Sequence, residues 1–393
     1  MHRQFSVLAA VVLVLTAAPT GALAAGSVAG VDLGVLPGGS SSQAVAVNDN
    51  GVVVGFSNTE PRSPKHRAVK WGADGKPVAL DLLPGESQSR ASQINDDEVV
   101  AGVSYDDQGY PTPVRWDRAG RVTELPLLPG HTSGVVTALT RSGTVLGRSY
   151  SDDVPHLHRA VTWSPFTELA PLPGDTETWA EAINDSGQVV GRSTGGPLGD
   201  RPVVWAADGT PRLLTSALGD RGIASGINNA GHIAATFYGA DGLSHPFVLV
   251  PGGTPFSWRG TPLPEPGRGT RTYDIGEDGT VIGEFWPGSF SEGGRWAAGS
   301  HRWDSLTSRT HPLSVNRAGI VVGPTKSGPY YRARAWAPGD TAGVDLSPVW
   351  RDWAGASRIN NHNLVVGHSY ADEDRNTHAT KWQLPLPATD RFR

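Results

Sequence analysis

The sequence predicts an all-β fold, a closed β-propeller of eight four-stranded antiparallel blades. Three observations carry this reading. A hairpin-like stretch recurs eight times along 393 residues, each copy is followed by the same ordered set of short elements, and Gly (50) and Pro (31) are abundant but periodic. Self-similarity at a period of 40 to 48 residues is the signature of a solenoid or propeller. Periodic Gly and Pro mark many tight turns rather than disorder.

The first element is cleanest in residues 181–191, Glu-Ala-Ile-Asn-Asp-Ser-Gly-Gln-Val-Val-Gly. An apolar strand runs into Asn-Asp-Ser-Gly, where Asx and Gly suit a type I turn closed by a left-handed residue, and a β-branched strand leaves it. The turns begin at Asn48, Asn95, Thr140, Asn184, Asn228, Gly276, Asn316 and Asn360, with spacings of 47, 45, 44, 44, 48, 40 and 44. The second strand is Val-Val-Gly or a relative, as in Val53, Val54 and Gly55. After a loop of variable length, a third strand is led by His or Arg, or by Pro113 in the second repeat, and ends on Trp71, Trp116, Trp163, Trp205, Trp303, Trp336 or Trp382, with Leu249 replacing Trp in the fifth repeat. A fourth strand leads into Leu-Pro-Gly. Four short strands in about 45 residues match one propeller blade. Seven blades is the competing count, because residues 251–269 and 285–300 read as insertions in a degenerate fifth and sixth repeat.

The ends refine the picture. Residues 1–24 read as a secretory signal: His2 and Arg3, an apolar stretch over 5–18, and a small-residue cleavage site at Ala22, Leu23 and Ala24. Residues 25–393 then form one propeller domain. Residues 31–38, Val-Asp-Leu-Gly-Val-Leu-Pro-Gly, look like a fourth strand placed before the first hairpin, so the N-terminal strand is expected to complete the last blade and remove an exposed edge. Zero cysteines exclude disulfides and thiolate chemistry. A formal charge of -5 disfavours a nucleic-acid partner. No segment after the signal has the roughly 18 to 20 apolar residues of a membrane span. A secreted monomer is expected.

The His-Arg-Ala-Val-x-Trp strand at His66 and His158, combined with Ile-Asn-Asp-x-Gly-x-Val-Val-Gly, resembles the extracellular HAF repeat family. The likeness covers nearly the whole chain after the signal. The name-giving His-Ala-Phe triplet itself is replaced by Ala68-Val69, Ala160-Val161 or Pro246-Phe247 after the His or its neighbour. What the resemblance implies is an exported bacterial protein with a propeller-like array; no catalytic residues come with it.

Candidate functional residues are weighed against structural roles. His66, His158, His245, His301 and His378 occupy one repeat position, which suits bonds to a neighbouring blade or turn better than one metal centre. The third-strand Trp residues are expected between blades. Trp179, Trp258, Trp286, Trp296, Trp350 and Trp353 fall outside that register. Trp258, Trp286, Trp296, Trp350 and Trp353 are the candidate ligand-binding residues, since sugar C–H faces stack on indole. Three related acidic loops offer Asp106, Asp107, Asp152, Asp153, Asp372 and Asp374 as candidate calcium ligands, without the spacing of a known calcium loop. The loops between second and third strands should share a face with the Leu-Pro-Gly loops, and their variable length marks the binding face.

No nucleophile elbow, zinc helix or phosphate loop is present. The expected function is therefore non-catalytic binding of an extracellular polysaccharide or protein through loops on one face. The alternative is a polysaccharide hydrolase or lyase on the same scaffold.

Overall fold

The computed structural model describes residues 26–151, 153, 157–254, 257–267, 269–373 and 376–385; the signal reading at 1–24 lies outside them. Eight blades form a ring, and the architecture is an eight-bladed β-propeller. The innermost strands are Ser42–Val47, Gln88–Ile94, Ser133–Leu139, Glu177–Ile183, Gly222–Ile227, Arg271–Ile275, Ser314–Val315 and Ala354–Ile359. Each pairs antiparallel with a second strand across the Asn-led turn, and that strand pairs with the third. No described helix is long and apolar enough to cross a membrane.

The turn chemistry explains the repeat. The residue that closes each turn has positive φ: Gly51, Glu98, Gly143, Gly187, Gly231, Gly279, Gly319 and Asn363. The glycine of Val-Val-Gly has a different cause. Seven of the inner strands carry a register shift, as between Ala44 and Ala46, and a Cβ on Gly55 would stand 1.9 Å from the Gln43 carbonyl oxygen. The bulge brings the two backbones together and leaves no room for a side chain.

Between blades lie the third-strand indoles. Trp71, Trp116, Trp163, Trp205, Trp296, Trp336 and Trp382 are all buried, each removing roughly 200 Å² from water. Most also bond to the preceding blade: Trp116 Nε1 donates to Asp81 O at 2.7 Å, and Trp205 Nε1 to Ala170 O at 2.7 Å. Here the sequence expectation needs correction. The sixth blade's third strand is Glu292–Trp296, inside the presumed insertion, so Trp296 is the core indole and is 0% exposed. Trp303 begins the outer strand Trp303–Ser305, and His301 sits in the preceding turn with φ 51. Both Trp-ended segments fit a third strand by composition; pairing of Val281 with Trp296 decides between them.

The repeated asparagine fastens the ring. Its Oδ1 accepts the N–H four residues on, as Asn48 does from Val52 at 2.8 Å. Its Nδ2 donates to the same position of the next blade: Asn48 to Asn95 O, Asn184 to Asn228 O, Asn228 to Gly276 O, and Asn316 to Asn360 O. Asn360 then reaches across the seam to Asn48 O at 2.8 Å. Thr140 and Gly276 break this belt, because neither has an amide to donate.

The seam carries further links. The strand Val31–Asp32 pairs antiparallel with Thr377–Gln383, supplying the last blade's outer strand, and Asp32 Oδ2 lies 2.8 Å from His378 Nδ1. Val28–Ala29 continues one blade further back, running parallel to Val344–Ser347 as a fifth strand of the seventh blade. Gly30 allows the crossing: a Cβ there would be 2.7 Å from Ser347 O and 2.9 Å from Trp382 Nε1.

Candidate functional site: the loop face and the channel mouth

The inner strands surround a central cavity of about 630 Å³, lined by the asparagine belt at one end and by side chains at the bulges, among them Gln93, Glu181, Tyr273, Asp274 and Arg358. Burial pushes the Asp274 carboxyl above the usual carboxylate range, with the Ile275 N–H and Arg358 opposing. One face of the ring carries the Asn-led turns. The opposite face carries the loops between second and third strands and the loops that enter each blade.

Exposed aromatic side chains are distributed unequally between the two faces. Among the described residues, the exposed aromatics are Tyr110, Phe166, Trp286, Phe290, Tyr330, Tyr331 and Trp350. All except Phe166 lie on the loop face. Five of them, from Trp286 onward, fall in the sixth, seventh and eighth blades. The seventh blade's hairpin continues its pairing out to Ser327 and Tyr330, which sets Tyr330 and Tyr331 at its tip. Neighbouring loops of this sector are tied together: the Arg309 guanidinium lies 4.3 Å from the Phe290 ring centroid, and Arg332 pairs with Asp352 at 3.3 Å.

The candidate tryptophans separate accordingly. Trp350 and Trp353 come together in the loop entering the eighth blade, where Trp353 stacks on Tyr370 (centroids 4.7 Å, 23°) and the Trp350 N–H donates to Tyr370 O. Trp286 is 38% exposed in the sixth blade's loop. Trp258 is placed on the other face, its Nε1 donating to Gly231 O in an Asn-led turn. Trp296 belongs to the core. Sequence reasoning missed Phe290, Tyr330 and Tyr331; the Gly328-Pro329 tip that carries the tyrosines was the signal available.

The acidic loops lie in the second, third and eighth blades and use their oxygens locally. Asp106 Oδ1 accepts from the Gln108 and Tyr110 N–H groups, Asp107 from Ser87 Oγ, and Asp372 from Asn376. Asp153 is exposed, and Asp152 and Asp374 lie outside the described residues. Among the described residues no three His, Asp or Glu side chains converge as a metal site.

Just inside the loops, one tier of residues circles the channel mouth, paired across the first and second strands one step beyond the glycines. It includes Arg90, Arg148, Trp179, Arg192, Arg271, Glu284 and His368, and His311, whose backbone N–H donates to Pro324 O just before the inner strand, continues it in the seventh blade. Glu284 lies 3.3 Å from His311 Nδ1 and is hydrogen-bonded to Tyr273. Burial alone would raise its pKa, but those bonds hold the carboxyl below its usual range. Burial, then the Glu284 carboxylate, push the Tyr273 hydroxyl up. Burial drives His368 down to about 4. His66 is lowered by burial and by the Arg90 guanidinium. The strand-leading histidines bond as their position suggests: His66 to Arg90 at 3.2 Å, His245 to Glu265 at 2.6 Å, and His378 to Asp32.

No protein-family model matches the chain, and no curated protein does. Solved structures are similar to it. A puromycin-hydrolyzing peptidase of Mycobacterium tuberculosis is 14% identical with a TM-score of 0.51, covering 78% of this chain and 54% of its own. The chain thus spans about half the length of that peptidase. TolB from Acinetobacter baumannii is 12% identical with a TM-score of 0.41, covering 72% and 75%. Virginiamycin B lyase from Staphylococcus aureus is 12% identical with a TM-score of 0.44, covering 78% and 98%. At 14% identity the likeness to the peptidase is one of fold.

Proposed function

We propose that this protein is an exported, non-catalytic module that binds an extracellular polysaccharide through the loop face of its propeller. One observation carries the reading: the exposed aromatic side chains gather on that face and in three consecutive blades. Water-facing aromatics are costly unless a partner covers them, and flat rings suit the C–H faces of sugars. A rigid ring presenting variable loops is a common arrangement for recognition. The test is retention on a panel of immobilised polysaccharides. Wild type should bind at least one, and Trp350→Ala and Tyr331→Ala should each weaken that binding while leaving the melting temperature unchanged. Retention equal in wild type and both variants would refute the reading.

A second reading, hydrolysis or lyase cleavage of the same polymer, draws on geometry alone: Glu284, a carboxylate able to accept a proton, lies 3.3 Å from His311 Nδ1 and beside Tyr273. Release of reducing ends or unsaturated sugars, abolished in Glu284→Gln, would support it.

A further inference from the structure

The tier at the channel mouth holds three guanidinium groups without a carboxylate partner. Arg90, Arg148 and Arg271 form no ion pair among the described residues, whereas Arg192 is held by Glu181 at 3.2 Å and Asp200 at 3.6 Å. Each of the three lies over an aromatic ring: Arg90 over Phe56 at 4.7 Å, Arg148 over Trp179 at 4.0 Å, and Arg271 over Tyr273 at 5.8 Å. Arg148 is the most enclosed. Its Nε is buried and has no hydrogen-bond partner. The carboxylates nearest to it are already engaged, Glu181 by Arg192 and Glu177 by the Trp179 Nε1 at 3.3 Å.

Enclosing a guanidinium without a counter-charge costs free energy, and the Arg148 terminal nitrogens, which are not buried and have no hydrogen-bond partner among the described residues, are where an incoming anion would offset that cost. The position is also informative. In a ring of eight, the third and fourth blades, which meet at Arg148 and Trp179, stand opposite the seventh and eighth, which carry Tyr330, Tyr331 and Trp350. An extended chain resting on those aromatics and crossing the mouth arrives at Arg148.

We infer that the polymer is acidic, and that the carboxylate of one of its sugar units is bound by Arg148, which Trp179 orients by stacking while the other contacts of that indole are taken by Arg192 and His158, with Arg90 and Arg271 adding attraction around the mouth. This inference rests on the binding-face reading. Guanidinium is suited to the task because its planar fork matches a carboxylate, and stacking on indole fixes its orientation.

The experiment compares alginate, a polyuronate, with its propylene glycol ester, whose backbone is the same but whose carboxyls are neutral. Wild type should bind alginate about tenfold or more tightly than the ester, and Arg148→Gln should lose a similar factor on alginate alone. Arg148→Lys, which keeps the charge without the fork, should fall between. If Arg148→Gln fails to fold, the Lys variant and the wild-type preference for alginate over ester decide. Equal binding of alginate and ester, or an Arg148→Gln affinity unchanged, overturns the inference while the binding face stands. Binding of neither polymer, nor of any other on the panel, overturns both.

Discussion

His368 should make the eighth blade sensitive to acid. The imidazole lies between the second strand and the loop entering the blade, 4.8 Å from Trp353, and its Nδ1 is buried without a partner. Burial lowers it to about 4 in the folded state, against roughly 6.5 in an unfolded chain. A depressed value means that the unfolded chain takes up the proton first, so this contribution to stability is complete above about pH 6.5 and is lost as pH falls toward 4. The full shift corresponds to ~3 kcal/mol, and by about pH 4.5, allowing for partial solvent access, to about 2 kcal/mol. His368→Phe keeps a ring against Trp353 and Tyr370 but cannot titrate. Urea unfolding of both proteins at about pH 7.5 and about pH 4.5 should show wild type losing about 2 kcal/mol more than the variant. Equal losses would refute the reasoning, because carboxylates elsewhere affect both proteins alike.

Other predictions concern the ring. Asn360→Ala should cost about 2 kcal/mol in unfolding experiments, since it removes the link to the Asn48 carbonyl, which keeps only the Gly51 N–H, and leaves the Leu364 N–H without its partner. Thr140→Asn should complete a missing link of the belt and stabilise by about 1 kcal/mol, because Thr140 Oγ1 already accepts the Thr144 N–H as Asn does elsewhere. For His245, burial lowers the imidazole but bonds to Glu265 and Asp241 outweigh it and raise it. Its contribution is therefore present below about pH 6.5 and fades as pH rises through the raised value, so His245→Gln should destabilise by up to about 1 kcal/mol at acid pH and hardly at all at about pH 9. Removing residues 26–33 should bare the edge of Thr377–Gln383, lower the melting temperature and promote self-association.

Much of this fold was legible in the sequence because its determinants are local and repeated. Asn-Asp-x-Gly specifies the turn, and the recurrence of that turn gives the blade count. The seam was legible too, since residues 31–38 carry a fourth-strand pattern without the three strands that should precede it. The sixth blade was misread for a physical reason. Trp296 and Trp303 are both preceded by polar residues and both suit a strand, and only the pairing with Val281 places one in the core and the other outside. The channel-mouth tier was invisible for another reason: Arg148 and Trp179 are 31 positions apart in the chain and meet only when consecutive blades dock. The function of the belt asparagines was half visible. Their role in the turn follows from local chemistry, but their amide bonds to the next blade require the closed ring.

The measurement that bears most directly on the proposed function is a hydrogen–deuterium exchange footprint of the protein with a bound polysaccharide. The account predicts protection concentrated in the loops around residues 286–291, 327–331 and 348–353. Protection confined to the opposite face, around the Asn-led turns, would contradict it.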